Sequence, residues 1–410
     1  MTTTRRSLLR SGALAGAALS LGVPLSDDGR ARRAFEFARA RAADDPLRAL
    51  GKDPRLVVLG DRPLNVETPA HLLDDDTTPA THLFVRNNGT PPAAVDRASW
   101  TLTVQGESVP RPATFTLDEL MAMKRVTRSF VLECGGNGRA EFQPPTSGNQ
   151  WTTGGVGCPT WTGVPLRDVL KKAGVTKSAV YVGYVGSDAH LTGDPNKRSI
   201  SRGVPIDKAM DDDTILAFAM NGADIPHVHG APLRLVAPGF PASVSGKWLT
   251  ELLVRDRVHD GAKMDAKSYR LPCEPVRPGA QVDDADMCIL EEMPVKSLIT
   301  SPASGLVHAQ AEPLVVRGHA WSGHRDGLIR EVFVSIDYGA TWQKATVAKP
   351  RNRFDWQRFS TTLRFAKKGY YEVWARAVDA RGVTQPLVMG EWNPQGYANN
   401  AAHHIAVQVT

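Results

Sequence analysis

The stretch Phe130-Val131-Leu132-Glu133-Cys134-Gly135-Gly136-Asn137-Gly138-Arg139 decides how the chain reads. A strand-like run from Ser129 to Glu133 ends abruptly at a cysteine, and a glycine-rich turn and an arginine follow. Three glycines among residues 134–138 mean that the backbone bends tightly there or lies against something bulky. A thiolate at such a mouth can serve as a soft metal ligand, and an arginine beside it can hold an oxyanion. Cys134 is therefore expected to ligate a metal, with most of the chain serving that site.

The whole chain, at 410 residues, is too long for one ordinary domain, so two are expected. Hydrophobic residues make up 42% and charged residues 22%, the balance of a soluble globular protein. The formal charge of +6 is concentrated at one end: residues 1–43 hold eight arginines against Asp27, Asp28 and Glu36. The remainder is near neutral, which removes the charge argument for a nucleic-acid partner. Thr4-Arg5-Arg6-Ser7-Leu8-Leu9-Arg10 and the small apolar run Ser11 to Pro24 describe an export signal of the twin-arginine type over residues 1–43, implying a periplasmic location. That run is shorter than the ~20 apolar residues of a spanning helix, so no stable membrane anchor is expected. Cysteines 134, 158, 273 and 288 fit neither a C-x-x-C zinc pattern nor a C-x-x-C-H haem site. Cys158, Cys273 and Cys288 are expected to be buried small hydrophobes, with no pairing legible.

In chain order, residues 25–60 read as a leader remnant and a loose arm. Trp100 to Val104 alternates as a strand, and Thr116-Leu-Asp-Glu119 is a capping box opening a helix through Met123. An irregular Gly/Pro-rich loop then runs through Trp151 and Trp161, long enough to suggest function. Pro165 to Ala173 is expected as a helix stopped by Gly174, and Val180 to Val185 as a strand reaching Asp188. Ile215 to Met220 and Pro232 to Val236 are strands around a loop holding His227 and His229. From about residue 290 strand follows strand (314–318, 332–337, 361–365, 371–378, 404–409), the spacing of an immunoglobulin-type β-sandwich.

Arg86, Arg139 and Lys247 each sit beside a glycine- or proline-rich bend, and together with Cys134 they suggest an anion cluster suited to trigonal oxyanions. His227-x-His229 resembles a metal pair but lacks a third ligand nearby. Trp151 serves a core or a site, and Asp188 a cap, a turn or a ligand. Residue types alone give an exported protein with a cysteine-centred anion site.

Several segments in combination resemble the sulfite oxidase family of molybdoenzymes, and are most similar to bacterial periplasmic sulfite dehydrogenases. They are Phe84-Val-Arg-Asn-Asn88, Leu132 to Arg139, Asn149-Gln-Trp151, and Met220-Asn-Gly222 with His229-Gly-Ala-Pro-Leu-Arg234. Gly246-Lys-Trp248 and Glu391-Trp-Asn-Pro-Gln-Gly396 with Asn399-Asn400 complete the set. The resemblance covers roughly residues 60–410. It implies an α+β chain: a mixed α/β molybdopterin-binding, sulfite oxidase-type domain over 44–288, then an immunoglobulin-like dimerisation domain over 289–410. It further implies Cys134 as the thiolate on a molybdenum carried by one molybdopterin. Phe84, Val85, Arg86, Asn87, Asn88, Asp188, His229, Arg234, Ser245, Gly246 and Lys247 match positions that hold the pterin and its phosphate. Arg86, Arg139, Trp151 and Tyr269 match the sulfite/sulfate pocket, with Cys134, Arg86 and Tyr269 in catalytic positions.

Two positions depart from the family pattern. Asn88 stands where many members have histidine, and Gln395 where the vertebrate enzymes carry an arginine. The implied activity is sulfite dehydrogenation, with electrons passed to a separate c-type cytochrome because no haem is expected in this chain. One alternative is a sulfane dehydrogenase of a sulfur-oxidation complex acting on a carrier-bound persulfide. Another, of a different class, is a non-catalytic exported binding protein. A homodimer is expected.

Overall fold

The computed structural model describes residues 46–410. Residues 46–54, including the one-turn helix Pro46–Ala49, belong to a different unit from residues 55–410, which are described below. The export leader expected over residues 1–43 lies outside the described residues.

Three sheets position the site. The first is a small antiparallel sheet of Val57–Asp61, Leu64–Glu67 and Val85–Arg86, whose register sets Asn65 opposite Arg86. The loose arm expected to run to residue 60 thus ends in a strand. The second is a mixed five-stranded sheet ordered Gly203–Pro205, Tyr181–Gly186, Leu249–Arg255, Thr101–Gln105, Ala113–Thr116, with one parallel pairing in its middle. The third joins Ala223–Asp224, Ile215–Met220, Thr160–Pro165 and Val126–Ser129, with Arg234–Val236 also paired to Ile215–Met220. Apolar side chains of the second and third sheets share one core with the helices Leu117–Met121 and Leu166–Lys172. The capping box is present in full: Thr116 Oγ1 accepts from Glu119 N while Glu119 accepts from Thr116 N. Its helix ends at Met121, two residues earlier than expected.

Beyond residue 290 two further sheets share a second core. One is ordered Lys296–Ser301, Leu314–Trp321, Gln357–Leu363, Thr346–Val347. The other is ordered Leu306–His308, His403–Val409, Gly369–Asp379, Ile329–Ser335, Gln343–Lys344, antiparallel except for its first pairing.

Three further expectations need correction. The single strand Ser129 to Glu133 is two short ones: Val126–Ser129 pairs with the 160–163 segment, and Leu132–Glu133 pairs with Val156–Gly157. Between them Val131 N donates to the carbonyl of Phe354, so the chain leaves one ladder, touches the C-terminal region and enters another. The loop expected through Trp161 stops short of it, because Trp161 lies within the strand Thr160–Pro165. Cys273 and Cys288 are not buried hydrophobes. Both are exposed and form a disulfide that closes the two-stranded ladder of Arg270–Pro272 and Met287–Ile289. Cys134 and Cys158 are the free, buried thiols.

Candidate functional site

The end of Leu132–Glu133 delivers Cys134 to the meeting point of two cavities. Its backbone is pinned on both sides: the N–H donates to Gly155 O at 2.8 Å, and the carbonyl accepts from Asn137 N at 2.9 Å. The inner cavity is a slot reached by Phe84, Asp188, His229, Arg234, Ser245 and Lys247. The outer one is a more open cleft of about 310 Å³ with Arg139, Lys263, Gln395 and Tyr397 in its wall. Arg86, Asn88, Cys134 and Tyr269 line both. The thiol therefore forms part of the partition between an enclosed slot and an accessible cleft, and is not sealed among aliphatic neighbours.

The inner slot is built for negative charge. Arg234 is fully buried; its Nη1 donates to His229 O at 2.9 Å, its Nε has no partner among the described residues, and its guanidinium lies 5.3 Å from the Trp161 ring. Burial lowers its pKa to about 10. Lys247 Nζ donates to Val228 O at 3.0 Å and to Asn87 Oδ1, and sits 4.3 Å from the Trp248 ring. Asn87 Nδ2 is buried without a partner among the described residues. Burial raises the Asp188 carboxyl above its ordinary value, with Lys247 opposing. Ser245 Oγ accepts from Ala237 N at 3.1 Å. Gly246 is required by a close approach, since a Cβ there would run into the Tyr184 ring. Val85 is buried in its short strand and lines neither cavity.

The outer cleft has cations and no carboxylate in its wall. Arg86 Nη1 donates to Asn65 Oδ1 at 3.2 Å and Nη2 to Asn88 Oδ1 at 3.0 Å, so neutral amides orient it without cancelling its charge. Asn88 thus shares with Asn65 and the Asn87 carbonyl the task of fixing Arg86. Arg139 is held by carbonyls alone, Nε to Gln395 O at 2.9 Å and Nη1 to Asn149 O at 3.0 Å. Gly136 makes room for it: a Cβ there would stand 2.5 Å from Nη2. Among the described residues no carboxylate pairs with Arg86, Arg139, Arg202 or Arg234. Buried cations left in this state are costly unless an anion arrives.

Tyr269 takes a left-handed backbone conformation, φ +51°, which a bulky residue adopts only where its surroundings enforce it. Its ring is enclosed in a stack: Tyr397 lies parallel at 5.2 Å, Arg139 is 5.0 Å from the Tyr397 ring, and Arg202 is 4.5 Å from the Tyr269 ring. Arg202 and Tyr397 were not singled out from the sequence. Arg202 stands in an ordinary Ser-Arg-Gly context with no local signal, whereas Tyr397 directly follows the Glu391–Gly396 segment and could have been flagged there.

Besides Val85, two more sequence candidates sit elsewhere. Trp151 lines neither cavity; it is fully buried behind Cys134 and meets Phe84 edge-on at 5.9 Å. His227 packs against Trp248 at 6.0 Å while His229 lines the slot, so the two do not form a metal pair. Among the described residues no three of His, Cys, Asp and Glu converge as a metal cage. A metal on Cys134 would take its other donors from a ligand.

Comparison with known proteins agrees with this geometry. Residues 88–263 match the oxidoreductase molybdopterin binding domain, and residues 287–410 the Mo-co oxidoreductase dimerisation domain. The chain is 31% identical to mitochondrial sulfite oxidase of Homo sapiens over 382 residues, covering 90% of this chain and 68% of that protein. It is 32% identical to sulfite oxidase of Gallus gallus over 382 residues, covering 90% and 81%. Among solved structures, the sulfane dehydrogenase SoxCD from Paracoccus pantotrophus superposes with a TM-score of 0.68 at 28% identity, covering 83% of each chain.

Proposed function

The chain belongs to the sulfite oxidase family of molybdopterin-binding oxidoreductases, and we propose that it oxidises sulfite to sulfate at a molybdenum–molybdopterin centre. Electrons then leave to a separate c-type cytochrome. In this reading the protein is exported to the periplasm by the twin-arginine route, and its immunoglobulin-type sandwich joins two copies. The observation that carries the proposal is the placing of Cys134 between the anion-seeking slot and the carboxylate-free cationic cleft.

The residues present fit the cofactor. A pterin phosphate would answer Arg234 Nε, which has no partner among the described residues, and would meet the Lys247 ammonium, and a dithiolene would supply donors that the described residues do not gather. When bound, the group supplies two-electron oxygen-atom transfer. The protein's part is binding and electrostatics. Arg234, Lys247, His229, Asp188 and Ser245 would hold the pterin end, and Cys134 would give the metal its thiolate. Arg86 and Arg139 would hold the oxyanion and stabilise charge as sulfate forms; fixed donors in a partly dehydrated cleft are worth more than in water. Tyr269 would hydrogen-bond the substrate. Burial pushes the Tyr397 phenol up to about 12, so it lines the cleft as a neutral donor near neutral pH.

A second reading, oxidation of a sulfane sulfur, is favoured by the likeness to the SoxCD structure and by Gln395, an uncharged side chain in the cleft wall where an arginine would add charge. Steady-state reduction of cytochrome c by free sulfite, run beside a molybdenum count, separates the readings. Sulfite-dependent turnover with near-stoichiometric metal supports the first. Metal without sulfite turnover supports the second, and absence of molybdenum refutes both in favour of a binding protein.

A further inference from the structure

Glu133 precedes Cys134 in the chain, is buried, and accepts three hydrogen bonds on its carboxylate. Lys296 Nζ donates to Oε1 at 2.7 Å and Asn137 Nδ2 to the same oxygen at 3.0 Å, while Trp321 Nε1 donates to Oε2 at 2.9 Å. Lys296 also donates to the Asn137 carbonyl at 3.3 Å. Asn137 closes the cysteine turn: its N–H goes to Cys134 O, and its Oδ1 accepts from Gly155 N at 3.0 Å. Gly155 O in turn accepts from Cys134 N. Both backbone contacts that fix Cys134 thus lead to the Glu133 carboxylate, the carbonyl's through Asn137 and the N–H's through Gly155 and then Asn137.

The two outside donors come from the other half of the molecule. Lys296 and Trp321 lie directly opposite each other in the first sheet of the C-terminal sandwich, more than 150 residues along the chain. Neither lines the slot or the cleft. A buried ion pair is a poor source of net stability, because desolvation offsets much of its attraction, and an apolar pair of similar volume often does as well. What it supplies that an apolar pair cannot is direction, and direction matters where a neighbouring atom must meet a metal.

We infer that Lys296 and Trp321 are positioning residues: through Glu133 and Asn137 they set the backbone of Cys134 and so the direction of its sulfur. The C-terminal sandwich then forms part of the active-site scaffold in addition to any role in dimerisation. The inference rests on the reading of Cys134 as the metal's thiolate. It requires no contact between either residue and substrate.

The test uses full-length, cofactor-loaded protein carrying Lys296→Met, Lys296→Arg or Trp321→Phe, with Cys134→Ser as reference. The readouts are the thiolate-to-molybdenum charge-transfer absorption band and the separate kcat and KM for sulfite. Lys296→Met and Trp321→Phe should shift the band and lower kcat about tenfold, the usual loss for outer partners of metal ligands, with little change in KM. Lys296→Arg should restore both. If Lys296→Met fails to fold because the Glu133 carboxylate is left unpaired, Trp321→Phe decides alone, since it removes one neutral donor at similar volume. An unchanged band and kcat in a folded variant overturns the inference. A band that survives in Cys134→Ser overturns the thiolate reading instead.

Discussion

Arg234→Met should stabilise the cofactor-free protein and weaken the cofactor-loaded one. Burial lowers the pKa of this guanidinium from its ordinary 12.5 to about 10, and no carboxylate compensates it among the described residues. A shift of that size corresponds to about 3 kcal/mol of desolvation held at this guanidinium. Methionine retains apolar contact with Trp161 and needs no counter-charge. The cofactor-free variant should therefore gain stability, by no more than about 3 kcal/mol. The loaded protein loses a charge-assisted contact worth about 1.5–3 kcal/mol, which corresponds to roughly ten- to hundredfold weaker retention of the pterin. The assay is thermal or denaturant unfolding of both forms, with pterin content measured after dialysis. A cofactor-free variant destabilised as much as the loaded one would show that Arg234 is a structural cation, and would refute the reasoning.

Three further outcomes are expected. Gly136→Ala pushes a methyl against the far end of Arg139, so folding should be nearly unchanged while KM for sulfite rises about tenfold or more from loss of an aligned cation; steady-state kinetics beside a melting curve checks this. Replacing Cys273 and Cys288 by serine opens a loop of sequence separation 15 and should cost about 3 kcal/mol in denaturant unfolding, with kcat unchanged. His319 is fully buried, stacked on Trp356 at 3.9 Å, and burial lowers its pKa to about 4. Its folded pKa lies below the unfolded value, so the unfolded chain binds more protons between the two. This contribution is intact above pH ~6.5 and is lost as pH falls towards 4, by about 3 kcal/mol in all; His319→Phe should flatten that limb of the stability–pH curve.

What was legible in the sequence was local. The capping box at Thr116, the glycine stop after the Leu166–Lys172 helix and the alternation beyond residue 290 all act within a few residues, and each has its counterpart in the structure. The Cys134–Gly138 turn was legible too, because tight backbone and thiol are written side by side. The break at Phe130 and Val131 was not, since it depends on Phe354, far along the chain. Arg202, Lys296 and Trp321 escaped notice for the same reason: their meaning comes from partners at large sequence separation. Trp151 shows the converse. A motif position suggested a pocket wall, but packing turns the ring behind Cys134 into the core.

The account stands or falls on the sulfur of Cys134. Molybdenum K-edge X-ray absorption of purified wild-type protein and of Cys134→Ser counts the sulfur donors at the metal directly. The account predicts one sulfur neighbour fewer in the variant, with the pterin retained. The same sulfur shell in both proteins would contradict it.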